Sequence, residues 1–246
     1  MRPTIQQLAL AALLASVSTS AAAQTELEQL KERIAARLPA AALGELAPSP
    51  LTGLYELTLP GQVVYVSADG RYLVSGRMVD LETREDLTER VLARQRLSAL
   101  DAVPEERMIV FDATAEPRHT ITTFTDIDCP YCRKMHAEMD ALNAKGVRVR
   151  YMLFPRAGFP SVSYEKAVSV WCAPDQQAEM TRAKRGAMPD KRECPNPVEE
   201  HMALARQLGL RGTPFTITDT GRVIGGYMPA PELFDSLESD KGSGKP

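Results

Sequence analysis

The residues whose types and spacing most clearly indicate chemistry are Cys129-Pro130-Tyr131-Cys132, a C-x-x-C motif. The motif follows an apolar run that ends at Phe124 and opens a helical pattern. Unpaired backbone N–H groups at a helix start stabilise a thiolate, so we expect Cys129 to have a lowered pKa and to be nucleophilic. Cys132, one turn further on, is placed to resolve a mixed disulfide on Cys129. The motif therefore predicts thiol–disulfide exchange.

The two residues between the cysteines are candidate substrate-binding residues. Pro130 fits the first helical turn, where a missing N–H costs little. Tyr131 adds an aromatic surface beside the reactive sulfur, and the alternative is a surface aromatic without a role. If a thiol of the substrate attacks the mixed disulfide before Cys132 does, the net reaction is isomerisation.

Two further cysteines, Cys172 and Cys194, bring the total to four. Three pairings are formally possible, and the close C-x-x-C spacing favours Cys129 with Cys132. That choice leaves Cys172 with Cys194 as a structural disulfide, whose loop closure is worth roughly 3 kcal/mol. A zinc site built from all four thiols is the alternative, but structural zinc usually draws on two closely spaced pairs. We predict no metal and no cofactor.

The elements that must position these residues follow from the periodicity of the second half of the chain. The predicted order is strand, strand, a helix from the C-x-x-C, strand, a helical region to Leu210, two strands and a final helix at Pro231–Leu237. This β-α-β, insertion, β-β-α order is that of an α/β thioredoxin-like domain with a helical insertion. We assign the domain to residues 105–240 and a flexible tail to residues 241–246.

Gly212-Thr213-Pro214 immediately precedes the predicted strand Phe215–Thr218. In a thioredoxin-like fold this proline is cis and faces the C-x-x-C, although the base rate of cis X–Pro bonds is only about one in twenty. The residue before it contacts the thiol and offers backbone hydrogen bonds to an extended substrate. Thr213 and Pro214 are therefore candidate substrate-binding residues.

Three ionisable residues near the motif have roles that the sequence leaves open. Asp126 and Asp128 precede Cys129 and would raise its pKa if they lie close to it. His136 follows Cys132 by four residues on the same helix side, where a partly buried residue is favoured over an acid–base group. The sequence does not decide whether any of the three takes part in proton transfer.

The first third of the chain predicts a small α+β module over residues 24–82. A T-x-x-E capping box at Thr25 begins a helix whose apolar side carries leucines and Ile34. Strands of period two follow from Leu54, with a hairpin turn at Asp69-Gly70. So small a module buries little apolar surface by itself, which predicts homodimerisation, with packing on the neighbouring domain as the alternative.

Residues 83–104 carry a charged helical stretch with a sparse apolar face. We predict that it is a linker helix between two bodies, and the alternative is an ordinary surface helix of one body.

Met1–Ala23 has the features of an export signal, with Arg2, the apolar stretch Leu8–Val17 and a small-residue site before Gln24. We expect residues 1–23 to be a signal peptide that is cleaved near Ala23. Arg2 is the only charged residue among them, so 29 − 1 = 28 basic and 32 acidic residues remain, a net charge of −4. Without a basic run, this balance argues against nucleic acid as a partner.

Several segments taken together resemble the periplasmic disulfide isomerase family DsbC/DsbG. They are Phe124–His136, Phe154-Pro155-Arg156, Trp171-Cys172-Ala173, Gly212-Thr213-Pro214 and Gly76–Leu81. The resemblance covers nearly the whole chain after the predicted signal peptide. It implies a V-shaped homodimer, in which cystatin-like N-terminal dimerisation domains pair and linker helices lead to two thioredoxin-like catalytic domains.

The resemblance also implies roles and partners. Cys129 is then the attacking thiol, Cys132 the resolving thiol, and Thr213-Pro214 the cis-proline loop. The substrates are misfolded exported proteins with disulfides, held in an apolar cleft, and a DsbD-like membrane reductant keeps the cysteine pair reduced. The compartment is a Gram-negative periplasm.

Within the family, two features favour different branches. The Pro130-Tyr131 dipeptide resembles DsbG, whereas Cys172, Cys194 and the residues around Trp171 resemble DsbC, which we favour. A disulfide isomerase and reductase with chaperone-like substrate binding is therefore the leading hypothesis. The alternatives are a DsbG-like reductase of cysteines oxidised to sulfenic acid and a dimer that acts mainly as a chaperone. A DsbA-like oxidase is disfavoured by the separate N-terminal module.

Overall fold

The computed structural model describes residues 26–38 and 44–243. The predicted signal peptide and the capping residue Thr25 lie outside the described residues. The chain divides into two units between Arg77 and Met78. Over the described ranges, none of the helices combines the length and the apolar character needed to cross a bilayer.

The N-terminal unit is one helix packed on an antiparallel sheet, which confirms the predicted α+β class. Its helix α1 covers residues 26–35. The four strands pair in sequence order: β1 (Leu46–Pro48), β2 (Leu54–Leu59), β3 (Gln62–Ser67) and β4 (Leu73–Ser75). Leu30 and Ile34 of α1 are buried against Leu57, Val64 and Val66 of the sheet. The apolar positions that the helical and strand periods predicted therefore form a single small core.

Local turn chemistry explains part of this sheet, and tertiary pairing explains the rest. Gly70 has φ +70°, the left-handed conformation that the turn between β3 and β4 requires. The strict alternation expected in β2 fails at Glu56 and Thr58, which are both buried. The Thr58 hydroxyl accepts a hydrogen bond from the Glu45 backbone N–H at 2.7 Å, and that bond offsets the cost of burying it.

The second unit is a five-stranded sheet covered by helices, the predicted thioredoxin-like architecture. It begins with α2 (Leu87–Asp101) and a 3₁₀ turn at Glu105–Arg107. The elements that follow are β5 (Ile109–Phe111), β6 (His119–Thr125), α3 (Pro130–Ala137), α4 (Met139–Ala144), β7 (Val147–Leu153), α5 (Val162–Trp171), α6 (Gln176–Lys184), α7 (Val198–Gln207), β8 (Phe215–Ile217), β9 (Val223–Gly225) and α8 (Ala230–Ser243). The strand order is β5-β7-β6-β8-β9, with β6 and β7 parallel and the other pairs antiparallel.

The centre of this sheet is buried on both faces. On one face Ile121 of β6 and Val149 and Tyr151 of β7 pack in the main core beneath α3 to α6, and on the other Phe124 and Met152 pack in a second cluster. β6 is buried at nearly every position between these two covered faces, although its sequence, His119–Thr125, carries four threonines and a histidine. The carboxyl end of β6, which leads to the C-x-x-C motif, is therefore held by packing on both sides.

The charged stretch around α2 belongs to the second unit. Asp86 caps the helix by accepting from the Glu89 backbone N–H at 3.0 Å. Leu100 is buried in the second core cluster, and Arg96 donates to the backbone oxygen of Gly221 at 3.0 Å. The last turns of α2 therefore pack against the sheet and core of the second unit.

The C-terminal helix is longer than its sequence pattern predicts. α8 runs to Ser243, so residues 241–243, which the sequence assigns to a tail, are helical. The Arg222 guanidinium donates to the Asp240 carboxylate at 2.6 Å, and this ion pair ties the last turns of the helix to the turn before β9. The local sequence gives no sign of this contact between residues 18 apart in the chain.

Candidate active site at Cys129 and Cys132

The C-x-x-C motif lies where β6 gives way to α3. Cys129 is the N-cap residue of α3, and Pro130 occupies the first turn. Cys132, one turn further along, is buried like Cys129, and both are free thiols. Tyr131 is 57 % exposed, so the aromatic surface between the two cysteines faces solvent. The sequence favours pairing of the two cysteines, and the structure holds the reduced form of that pair.

The segment before β8 contacts the motif across 84 residues of sequence. The Cys129 Sγ donates a hydrogen bond to the backbone oxygen of Thr213 at 3.2 Å. The Thr213–Pro214 peptide bond is cis. The structure therefore brings together the thiol pair and the Thr213-Pro214 loop, as the thioredoxin-like order of elements predicts.

The surroundings of Cys129 favour its thiolate. Burial alone would raise the pKa of Cys129, but interactions with Thr213 and Cys132 and with the backbone N–H groups of Cys132 and Tyr131 lower it below its ordinary value. The N–H groups are the unpaired donors of the first turn of α3. The helix-start position predicted from the sequence thus supplies part of the stabilisation.

The pKa of Cys132 is shifted in the opposite direction. Burial raises the pKa of Cys132, and the charge of Lys184 together with hydrogen bonds from the Asp126 backbone and the Thr125 side chain opposes that rise only in part. The thiolate is therefore favoured on Cys129 over Cys132. Such a pair can attack with one sulfur and resolve with the other.

The lowered pKa of Cys129 leads to a testable prediction. In a Cys132→Ser variant, alkylation of Cys129 by iodoacetamide should reach half its maximal rate at a lower pH than an ordinary thiol, whose pKa is about 8.5. The pH dependence of the alkylation rate measures this directly. The same variant unfolded in urea is the control, and equal midpoints in the folded and unfolded chains would contradict the assignment.

The two aspartates before the motif are engaged by other groups. The Asp126 carboxylate accepts from the Asp128 backbone N–H at 2.9 Å and from Arg156 Nε at 3.0 Å. Asp128 forms ion pairs with Lys166 at 2.8 Å and Arg133 at 3.0 Å. Because each carboxylate faces a cation, the net negative field that the sequence suggested at Cys129 is largely balanced.

The His136 side chain, on α3, is buried against neighbouring elements rather than exposed to solvent. Its Nδ1 lies 3.3 Å from the Tyr151 hydroxyl, and its Nε2 lies 3.0 Å from the Thr181 hydroxyl. Burial, with the charges of Lys184 and Arg185, lowers the pKa of His136 to about 4. The imidazole is therefore neutral at physiological pH and serves the packing of α3, the role that the sequence favoured.

Cys172 and Cys194 are joined by a disulfide between residues 22 apart in sequence, with a Cα–Cα distance of 5.8 Å. The bond links the carboxyl end of α5 to the segment before α7. Trp171 beside it packs on the main core, and its ring meets that of His201 edge to face at 6.3 Å. The disulfide uses two of the four sulfurs that the zinc alternative would require.

Sequence analysis missed one charged residue at the site. Lys184, the last residue of α6, is only 4 % exposed. Its Nζ donates to the Thr125 hydroxyl at 2.6 Å and to the Asp126 backbone oxygen at 2.8 Å. In sequence it resembles any basic residue at a helix end, a pattern normally explained by the helix dipole. Only the packing of α6 against the end of β6 reveals its position.

Comparison with known proteins agrees with this arrangement. A family model of the thioredoxin-like domain matches residues 104–239, and a model of the disulfide bond isomerase protein N-terminal domain matches residues 18–89. Among solved structures, a crystal structure of a disulfide interchange protein from Neisseria gonorrhoeae matches with a TM-score of 0.51 and 28 % identity. That match covers 56 % of this chain and 99 % of the other.

Curated relatives match over most of their length. The thiol:disulfide interchange protein DsbC of Haemophilus influenzae is 35 % identical over 190 residues, which cover 77 % of this chain and 81 % of the relative. DsbC of Salmonella typhimurium is 37 % identical over 194 residues, covering 79 % and 80 %. The favoured branch of the predicted family is confirmed, and the two free thiols at the start of α3 are suited to thiol–disulfide exchange. The chain belongs to the DsbC family of thiol:disulfide interchange proteins.

Proposed function

We propose that this protein is a disulfide isomerase and reductase of exported proteins, in which Cys129 attacks and Cys132 resolves. The observation that carries the proposal is the opposite displacement of the two pKa values, lowered at Cys129 and raised at Cys132. A thiolate at neutral pH is the nucleophile of thiol–disulfide exchange. A protonated partner cannot attack until it is deprotonated, so the mixed disulfide has time to rearrange.

The reaction begins when the Cys129 thiolate attacks one sulfur of a non-native disulfide. A bond forms between Cys129 and that sulfur, and the other substrate sulfur leaves as a thiolate. If a substrate thiolate then attacks the mixed disulfide, Cys129 is released and the substrate has exchanged one disulfide for another without net oxidation. If Cys132 attacks instead, the cysteine pair is oxidised and the substrate disulfide is reduced by two electrons.

Substrate would lie beside the thiols on the exposed Tyr131 and along the Thr213-Pro214 loop. The backbone oxygen of Thr213 already contacts the Cys129 sulfur, and the loop leads directly into β8. An extended peptide laid along this segment would bring its disulfide to Cys129. Pro130, exposed at the first turn of α3, would border the same surface.

A refolding assay tests the proposed function. A protein with several disulfides is oxidised under denaturing conditions so that its disulfides are scrambled, and recovery of its activity is followed with catalytic amounts of this protein. We expect recovery well above the uncatalysed rate in a weakly reducing buffer. Failure to accelerate recovery, together with efficient net oxidation of a reduced substrate, would instead identify an oxidase.

A second copy of the chain is the proposed partner of the N-terminal unit. β4 pairs only with β3 among the described residues. Its Leu73 and Val74, and Tyr72 just before it, are each about half exposed. An edge strand with exposed apolar side chains is a surface that pairs with another chain. Analytical ultracentrifugation should therefore give a dimer mass, and a monomer at micromolar concentration would refute this part of the proposal.

The remaining parts of the proposal concern where the protein works. A periplasmic location, with the signal peptide cleaved near Ala23 and a DsbD-like membrane reductant as electron donor, accounts for the leader features and for the need to keep the pair reduced. Mass spectrometry of the exported protein and thiol trapping in its compartment test these statements. A predominantly oxidised Cys129–Cys132 pair would contradict the isomerase assignment.

A second candidate function is favoured by the Pro130-Tyr131 dipeptide, which resembles DsbG. A reductase of this type attacks a substrate cysteine that carries a sulfenic acid and releases water as the mixed disulfide forms. Activity on a sulfenylated protein, combined with inactivity on scrambled disulfides, would select this function over isomerisation.

A further inference from the structure

Lys184 is a buried cation whose hydrogen-bond acceptors are uncharged. Its Nζ donates to the Thr125 hydroxyl and to the Asp126 backbone oxygen. Among the described residues, no carboxylate is paired with Nζ, because the Asp126 carboxylate is bound by Arg156 and the Asp128 backbone. A buried ammonium without a counter-ion is costly, so any negative charge that forms beside it is strongly stabilised.

The charges that form beside Lys184 during the reaction are those of the two thiolates. Burial lowers the pKa of Lys184 to about 8, and the charges on Cys132, Asp126 and Cys129 oppose that effect, in decreasing order. The influence is reciprocal, since the Lys184 charge is the largest effect that lowers the pKa of Cys132. Thr125 and Asp126 fix the ammonium at the base of the loop that carries the motif.

The Asp126 carboxylate also acts on Lys184, but it is already paired with Arg156. The remaining groups around Lys184 cannot replace the thiolates as its anion. Arg133 is a cation paired with Asp128. His136 is neutral at physiological pH, because its pKa is lowered to about 4. The Tyr151 ring centroid lies 5.8 Å from Nζ, and burial raises the pKa of its hydroxyl far above the ordinary value.

We propose that Lys184 is a positioning residue of the exchange reaction, whose buried ammonium stabilises the Cys132 thiolate at the step that resolves the mixed disulfide. This inference rests on the proposed roles of Cys129 and Cys132. The Lys184 charge would thereby influence how often a mixed disulfide ends in reduction rather than isomerisation. The more readily Cys132 ionises, the sooner it releases a bound substrate by reduction, and the less time remains for isomerisation.

In the step that resolves the mixed disulfide, the Cys132 thiol gives its proton to solvent and the thiolate attacks the Cys129 sulfur. The Cys129–Cys132 bond forms, and the bond between Cys129 and the substrate sulfur breaks. The substrate leaves as a thiolate that takes a proton from solvent, with the cysteine pair oxidised by two electrons. Lys184 gains and loses no covalent bond, and its positive charge lowers the pKa of Cys132.

The first test titrates Cys132 alone. In a Cys129→Ser background Cys132 is the remaining free thiol, since Cys172 and Cys194 are bonded, and ultraviolet thiolate absorbance reports its ionisation. At a pH below the midpoint, adding Lys184→Met or Lys184→Gln should reduce the thiolate fraction by about tenfold. Lys184→Gln can keep the hydrogen bonds to Thr125 and Asp126, so it separates loss of charge from loss of packing if Lys184→Met folds poorly.

Two controls complete the titration. Lys184→Arg retains the charge and should keep the thiolate fraction close to that of the parent. Arg182→Met removes one positive charge from an exposed position of the same helix, where the arginine pairs with Glu179, and should leave Cys132 unchanged. A thiolate fraction that is unaltered in folded Lys184→Gln would overturn the proposal and leave Lys184 a purely structural residue.

The second test measures the resolution step in the chain with both active-site cysteines. A mixed disulfide with a model peptide should persist about tenfold longer at neutral pH in Lys184→Gln than in the parent. An unchanged lifetime would contradict the inference. If instead the parent fails to reshuffle scrambled disulfides while Cys132 ionisation still depends on Lys184, the proposed function is wrong and the role of Lys184 stands.

Discussion

Cys129→Ser is expected to reduce the rate of refolding of a scrambled multi-disulfide protein to the uncatalysed rate. A serine hydroxyl forms no disulfide, and the hydrogen bonds that lower the pKa of the Cys129 thiol do not bring a hydroxyl into the neutral range. The loss should span several orders of magnitude, as with other enzymatic nucleophiles. Recovery of substrate activity over time is the measurement.

Cys132→Ser is the matched control, because it also replaces one buried sulfur of the motif with oxygen. This variant should still attack and should accumulate mixed disulfides that non-reducing gel electrophoresis detects. Substrate thiols can still release Cys129, so part of the isomerase activity should survive. Equal activity of the two serine variants would contradict the assignment of attacking and resolving roles.

The same Cys129→Ser protein also separates chemistry from substrate binding. If chaperone-like binding is part of the function, the variant should still suppress aggregation of an unfolded protein that contains no cysteine. Full restoration of disulfide proteins by Cys129→Ser would show that binding alone is the principal activity, and the proposed mechanism would then be wrong.

Removing the Cys172–Cys194 disulfide is expected to have the largest effect on stability. The Cys172→Ser, Cys194→Ser double variant should lose about 3 kcal/mol of free energy of unfolding, because a bond across 22 residues restricts the unfolded chain. Urea denaturation followed by Trp171 fluorescence measures the loss, since the chain has one tryptophan. The thiol pair should still react at low temperature, because the disulfide takes no part in the exchange.

A reducing buffer provides the control for this experiment. With the disulfide of the parent protein reduced, the parent and the double variant should unfold at nearly the same urea concentration. A difference below about 0.5 kcal/mol under non-reducing conditions would be no larger than that of an ordinary surface substitution. The bond would then be dispensable for stability, contrary to its position between α5 and α7.

Much of this molecule could be predicted from short stretches of sequence. The Asp69-Gly70 turn fixes the hairpin of the N-terminal unit, and the alternating and helical periods locate β2, β3 and α3. The sequence does not indicate β1, because three residues, Leu46–Pro48, are too few to show a period and form a strand only through pairing with β2. The sequence also indicates too short a helix for α8, whose last turns are held by the ion pair between Asp240 and Arg222.

The candidate site likewise has a part that local sequence predicts and a part that depends on tertiary contacts. The C-x-x-C pattern alone indicates the candidate thiol pair, since a C-x-x-C at a helix start carries its own N–H donors, and the order of elements indicates Thr213-Pro214. Three contacts appear only in the folded chain: the Thr213 oxygen meets the Cys129 sulfur, Arg156 binds the Asp126 carboxylate, and Lys184 lies buried at the base of the motif. Turns, caps and periodicity act over a few residues, whereas charges tens of residues apart meet only when the sheet and its helices have packed.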